Sequence, residues 1–136
     1  MTDTFIDNEL ATITAMLHDY PADKPVIMLN LLRFAPQANF KAAEDAEPCS
    51  GMEAFMRYGE GISPMIEQAG GTVIWQGRQA AMLIGPSDKN WELVVLVRYP
   101  SANAFINMIS SDAYQAIAFW RSAALADSRL IAHEEF

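Results

Sequence analysis

The sequence of 136 residues has the length and composition of one small globular domain. Because 51% of its residues are apolar and 19% are charged, it is not the sequence of a disordered chain. The formal net charge is −8 and no cluster of Lys and Arg is present. This argues against nucleic acids and anionic membranes as partners, since binding to phosphates requires a basic face.

Cysteine content and the first residues indicate a cytoplasmic protein. Cys49 is the single cysteine, which excludes a disulfide within the chain and is typical of a reducing compartment. The first ten residues carry three acidic side chains and no basic one, the opposite of a secretory signal peptide. No apolar run approaches the ~20 residues that span a bilayer.

Residues 5–20 are expected to form a short amphipathic helix that ends before Pro21, because apolar residues recur at helical spacing. We interpret residues 1–24 as an N-terminal helical extension and residues 25–136 as the main domain. The main domain opens with residues 26–34, which are almost continuously apolar. Such a run between prolines is typical of a central strand buried on both faces.

The first main helix is marked by a capping box. Ser50 is the predicted N-cap and Glu53 follows three residues later, after a polar loop over residues 35–50. The helix should end at the Gly-Gly pair of residues 70–71. Pro64 removes one backbone hydrogen bond and is expected to kink the helix.

Two further strands and a hairpin turn follow. Residues 72–84 are predicted to form a long strand, with a bend or bulge at Gly77. Residues 85–90 would make the turn, and residues 91–99 would return as a second central strand.

The last third of the chain is predicted to be mostly helical. Ser101 caps a helix that breaks at residues 110–112 and restarts as far as Leu125. A short strand over residues 128–134 completes the chain.

The predicted fold class is therefore α+β, with the ferredoxin-like order βαββαβ and an antiparallel sheet of strand order 4-1-3-2. Right-handed crossovers place both main helices on one face of that sheet. The central strands are apolar on both faces, so the uncovered face is unsuited to water. We expect two copies to pack face to face as a homodimeric α/β barrel with an interior cavity.

The chain resembles an uncharacterised family, domain of unknown function DUF1330, within the dimeric α/β-barrel superfamily. The resemblance implies the fold and the dimer and brings no established activity, and the N-terminal helix departs from the shorter family pattern. It is carried by residues 25–34; by Tyr58, Pro64 and Gly70-Gly71; by Arg98-Tyr99-Pro100-Ser101 with Phe105; and by Tyr114, Arg121 and Asp127 to Leu130.

Four residues are candidates for ligand binding. Asn30 is an uncharged polar residue inside an apolar strand, where it either bonds a neighbouring loop or helix end or contacts a ligand. Tyr58 lies on the inner stripe of the first main helix, as a core residue or as the lining of a pocket. Tyr114 and Arg121 share one helical stripe and can together hold a carboxylate or enolate oxygen. The alternative for Arg121 is a bond to Asp127 or to a backbone carbonyl.

No motif in the sequence indicates a cofactor or a metal. His18 and His133 have no partner at ligand spacing, so neither a zinc site nor a haem site is expected. There is no glycine-rich phosphate loop and no nucleophile elbow. Three tryptophans and eight methionines are compatible with a packed core or with an apolar pocket.

Two hypotheses of function remain open. In the first, the homodimer binds a small, largely apolar organic molecule in its barrel cavity and supports cofactor-free chemistry. Arg121 would then steady an anionic oxygen while a tyrosine donates or accepts a proton. In the second, the protein is a non-catalytic dimeric structural or interaction module, with a solid barrel and with the same polar residues bonded inside the protein.

Overall fold

The computed structural model describes residues 3–136 and has the predicted α+β architecture. Four strands form one antiparallel sheet in the order β2-β3-β1-β4, which confirms the order 4-1-3-2 read from the opposite edge. No helix within the described range is long and apolar enough to cross a membrane. The elements are α1 Leu10–Met16, β1 Val26–Phe34, a 3-10 turn Ala42–Glu44, α2 Gly51–Gln68, β2 Thr72–Gly77, β3 Leu93–Tyr99, α3 Ala102–Ser110, α4 Asp112–Ala124 and β4 Leu125–Glu134.

The helix starts follow the predicted capping residues. Ser50 accepts a hydrogen bond from the Glu53 amide, and the Glu53 carboxylate accepts one from the Ser50 amide at 3.0 Å. Ser101 and Ser111 cap α3 and α4 through their side-chain oxygens. Helix α2 continues through Pro64 to Gln68. These caps satisfy amide groups that would otherwise lack partners in the first turn.

Strand β2 is shorter than predicted. It ends at Gly77, β3 begins only at Leu93, and residues 78–92 form a long connection instead of a tight hairpin. Hydrogen bonds made by Gln79 to Trp91 and to the Lys89 carbonyl replace the ladder there. The prediction of a strand as far as residue 84 was therefore wrong. Leu83 and Ile84 are almost fully exposed, so the backbone there can bond to water instead of a neighbouring strand.

The N-terminal helix is also shorter than predicted, and residues 3–9 precede it without regular structure. Their backbone is bound to β4: the Phe5 amide donates to Asp127, and the Ser128 hydroxyl donates to the Phe5 and Ile6 carbonyls. Partners on a distant strand thus replace the helical hydrogen bonds that the spacing of apolar residues had indicated. The last strand starts at Leu125, three residues earlier than expected.

The two faces of the sheet have different surroundings. Alternate residues of the central strands, such as Val26, Met28 and Val97, are buried beneath the helices and form the main core with Phe105 and Met108. The intervening residues form an outer face that no helix or strand of the described chain covers. Its centre is apolar, and it also carries Arg98 and His133 beside Ile27 and Arg129 beside Leu31. We call this the outer sheet face; its members are Ile27, Leu29, Leu31, Trp75, Val94, Leu96 and Ile131.

Candidate functional site

A cavity of about 910 Å³ lies between the helices and the inner face of the sheet. Its floor is formed by β1 and β3, with residues such as Met28 and Val95, and its walls by α2 and α4. Residues 5–17 close one side, with Ile13 and Leu17 facing inward. The cavity therefore belongs to a single chain, whereas the sequence had indicated an interior between two sheets.

All four candidate residues, Asn30, Tyr58, Tyr114 and Arg121, line this one cavity. Tyr58 and Tyr114 are in direct contact, with their hydroxyl oxygens 2.9 Å apart and their rings nearly perpendicular. Tyr58 is buried, whereas Tyr114 is half-buried. Tyr99 on β3 adds a third phenol to the same region.

The buried tyrosines are held in the protonated form. Burial raises the pKa of Tyr58 well above its ordinary value; the Tyr114 hydroxyl adds to this effect and the nearby Arg121 opposes it. Burial, and then the proximity of Tyr114, also raises the pKa of Tyr99. At neutral pH Tyr58 and Tyr99 are therefore hydrogen-bonding phenols and do not act as phenolate bases.

Asn30 presents a hydrogen-bond acceptor to the cavity. Its side-chain nitrogen donates weakly to the carbonyls of Met28 and Val95, at 3.4 and 3.3 Å. Because both neighbours are acceptors, the nitrogen must face them and Oδ1 must face away. No residue within 3–136 donates to that oxygen. Every buried side-chain oxygen in this range has a hydrogen-bond partner, so Oδ1 is not buried. The oxygen is consequently accessible from the cavity, and Asn30 bonds neither a loop nor a helix end.

Arg121 is engaged with the N-terminal segment. Its Nη1 donates to the Ile6 carbonyl at 2.6 Å and to the Asp7 carboxylate at 3.1 Å. Its Nη2 makes a long contact of 3.4 Å with the Ser128 hydroxyl. The sequence left open a bond from Arg121 to a backbone carbonyl or to Asp127. Arg121 bonds to a backbone carbonyl, that of Ile6, and not to Asp127. The guanidinium thus fastens residues 6–7 over the edge of the cavity.

A buried ionic cluster beside this segment was missed by the sequence reasoning. Lys89 Nζ lies 2.6 Å from Asp127 Oδ2, and both side chains are almost fully buried. Arg129 donates to Asp127 Oδ1 at 2.7 Å, and Lys89 also donates to the Asp3 carbonyl. Burial alone would raise the pKa of Asp127, but the hydrogen bonds from Lys89, the Phe5 amide and Arg129 outweigh it and lower the pKa to about 2.

The remaining reactive side chains do not gather at the cavity. His18 and His133 are exposed, and His133 Nδ1 lies 3.1 Å from the Ile131 carbonyl. Cys49 is a free thiol packed against a smaller core cluster that contains Leu32, Ala54 and Leu125. Among residues 3–136, no group of three or more His, Cys, Asp or Glu residues is arranged to hold a metal ion.

Comparison with protein families gives one match, to the model described as "Domain of unknown function (DUF1330)", over residues 48–135. This range runs from just before α2 to just past the end of β4. The chain belongs to the DUF1330 family. Strand β1, which carried part of the resemblance seen in the sequence, lies outside the matched range. A search of curated proteins finds no match.

Solved structures support the fold assignment. A protein of unknown function from Rhodopseudomonas palustris is 36% identical, with 98% of each chain covered and a TM-score of 0.89. A dimeric protein of unknown function and ferredoxin-like fold from Bacteroides fragilis is 8% identical, with a TM-score of 0.51 over 85% of this chain and 100% of the other. A Caulobacter crescentus protein, for which an antibiotic biosynthesis monooxygenase activity has been suggested, is 16% identical, with a TM-score of 0.55 over 88% and 97%. At such low identities the last two similarities concern the fold alone.

Proposed function

We propose that this DUF1330 protein binds a small, largely apolar organic molecule in the cavity between its helices and its sheet. The observation that carries the proposal is the cavity itself, whose volume of about 910 Å³ lies within the range of small-molecule sites. Its wall is mostly apolar, and a few polar groups converge on it: Asn30, Tyr58 and Tyr114, with Arg121 at the edge. This combination is typical of binding sites, whereas a solid module would have filled the space with side chains.

Cofactor-free chemistry at this site would depend on the tyrosines. Tyr58 and Tyr99 remain protonated at neutral pH, so they can donate hydrogen bonds to a carbonyl or enol oxygen of the ligand. Arg121 would reach an anionic oxygen only after releasing Asp7. The geometry therefore favours stabilisation of an oxygen by phenols over proton abstraction by a phenolate.

We further propose that the chain forms a homodimer through its outer sheet face. Trp75 at 53% and Ile131 at 41% relative exposure are large apolar residues on this face, and Ile74 at 46% adjoins them on β2. A contiguous apolar sheet face is a poor surface to leave in water, and a second copy would cover it. The Bacteroides fragilis protein that shares the fold is dimeric, which supports the proposal of a homodimer.

Ligand binding can be tested by filling the cavity from α4. Ala118 lines the cavity, whereas Ala116 on the same helix is exposed and lies outside the lining. Titration with the neutral dye Nile red should show binding to the wild type and to Ala116→Trp, with at least a tenfold loss for Ala118→Trp. Native mass spectrometry of the purified protein should show a retained molecule in the first two proteins only. Equal binding by all three, or by none, would favour the non-catalytic module.

A further inference from the structure

The charged groups on the cavity wall are already engaged by partners within the protein. Three charged side chains of the described chain line the cavity: Asp7, Arg121 and Arg129. Arg121 is paired with Asp7 at 3.1 Å, and Arg129 is paired with Asp127 at 2.7 Å. Asp127 is shared with the buried Lys89, so this cluster keeps a positive excess, but Arg129 also donates to the carbonyls of Ser128 and Asp3. An ion entering the cavity would lose its hydration and would have to displace these protein partners to pair with a charged side chain. The net charge of −8 adds a long-range repulsion against anions.

The Asn30 side chain on the sheet presents an unpaired hydrogen-bond acceptor to the cavity. The Asn30 side-chain nitrogen donates to both neighbouring carbonyls, so Oδ1 points away from them. Oδ1 receives no hydrogen bond from residues 3–136. A ligand that covers this oxygen without donating to it would leave a desolvated acceptor unpaired. The oxygen therefore selects for a ligand with a hydroxyl or N–H group at that position.

The opposite end of the cavity offers donors. Tyr99 pairs with Val26 in the sheet, four residues along β1 from Asn30, which corresponds to roughly 13 Å of strand. Within the part of the chain that the structure describes, the Tyr99 hydroxyl has no hydrogen-bond partner, and Tyr58 and Tyr114 share one bond. A backbone separation of this order, in a cavity of about 910 Å³, leaves room for a fused ring system between Asn30 and Tyr99.

We infer that the ligand is a neutral molecule of about two rings, an alcohol, phenol or amide, whose O–H or N–H donates to Asn30 Oδ1. This inference rests on the proposed function and specifies the ligand class of the same cavity. A second oxygen on the ligand would accept a hydrogen bond from the tyrosines. Carboxylates, phosphates and cationic amines are disfavoured, because each would have to displace a protein partner from Arg121, Arg129 or Asp7.

Three naphthalene probes separate these classes by isothermal titration calorimetry at pH 7. 2-Naphthol is neutral and carries a donor, 2-methoxynaphthalene has an acceptor only, and 2-naphthoate is an anion. We expect 2-naphthol to bind roughly tenfold more tightly than 2-methoxynaphthalene, the effect of one hydrogen bond, and 2-naphthoate to bind most weakly. In Asn30→Leu the two neutral probes should bind within about twofold of each other. Asn107→Leu, the same substitution at an exposed amide of α3 outside the cavity lining, should keep the wild-type ratio.

The outcomes distinguish the two proposals. If no probe binds the wild type, the cavity is not a ligand site and both proposals are overturned. If the probes bind but 2-naphthoate binds at least as tightly as 2-naphthol, or the two neutral probes bind equally, the ligand class is wrong while the binding function stands. Because the wild-type series needs no variant, this comparison remains decisive even if Asn30→Leu fails to fold.

Discussion

The hydroxyl oxygens of Tyr58 and Tyr114 lie 2.9 Å apart, so that one hydrogen bond joins the middle of α2 to the first turn of α4 at the cavity wall. The two partners differ in burial, since Tyr58 is only 7% exposed and Tyr114 is half-buried. Removing either hydroxyl leaves the other without its partner, and the less buried Tyr114 can bond to water more easily than Tyr58. The two single substitutions should therefore have unequal effects.

We expect Tyr114→Phe to lower the free energy of unfolding by about 1–3 kcal/mol, because it strands the buried Tyr58 hydroxyl. Tyr58→Phe should cost less than about 1 kcal/mol, because Tyr114 can bond to water instead. Urea denaturation of both variants and of the double variant measures these values. A larger loss for Tyr58→Phe than for Tyr114→Phe would contradict the assigned burial.

The Asp127 carboxylate makes stability depend on acid pH. The pKa of this group is lowered from 3.8 to about 2 in the folded protein, so folding favours its ionised form. Its stabilising contribution is fully present above about pH 5 and is lost as the pH falls through about 4 to 2. We expect the wild type to lose on the order of 2 kcal/mol of unfolding free energy through this group over that range.

Asp127→Asn should remove most of that acid dependence and lower stability at pH 7 by roughly 3 kcal/mol, because Lys89 is left buried without its partner. Denaturant titrations at several pH values test both effects. Glu135→Gln is a matched control, since the pair of Glu135 with Arg98 is exposed. If Asp127→Asn and the wild type lost stability in parallel between pH 4 and pH 2, the ionic cluster around Asp127 would not be the cause of the acid dependence.

Two glycines of α2 should respond in opposite ways to alanine. A Cβ on Gly51 would lie 2.1 Å from the Ala35 carbonyl oxygen and 2.5 Å from that of Ala124, both in the backbone. Gly51→Ala should therefore cost more than about 2 kcal/mol of unfolding free energy. A Cβ on Gly59 would meet nothing within 4 Å, so Gly59→Ala should stabilise the helix by roughly 0.5–1 kcal/mol. Thermal denaturation tests whether Gly51→Ala melts below the wild type and Gly59→Ala melts above it.

A charge on the outer sheet face should separate the proposed dimer. Leu96 pairs with both Leu29 and Trp75 and so lies in the middle of this face. At micromolar concentration, light scattering after size exclusion should give twice the chain mass for the wild type and the single chain mass for Leu96→Glu. Met52→Glu is the control, because Met52 is 53% exposed on α2, away from the sheet. A monomeric wild type would refute the homodimer.

The sequence predicted those parts of the fold that depend on neighbouring residues. The apolar run of β1 indicated its bounds, and Ser50 and Ser101 marked the starts of α2 and α3. The predicted break at residues 110–112 marked the start of α4. Strand order followed from the sequence of elements and the handedness of their connections. Periodicity failed between residues 78 and 92, where side-chain hydrogen bonds from Gln79 replace strand pairing.

Only the tertiary structure decided how the candidate residues are used. Arg121 and Ile6 are separated by 115 positions, and Phe5 and Asp127 by 122, so no local pattern could show that these groups meet. The same holds for the location of the cavity, which depends on how far the helices stand from the sheet. Local spacing fixes which face of an element a residue occupies, whereas long-range packing determines its partner and its access to the cavity.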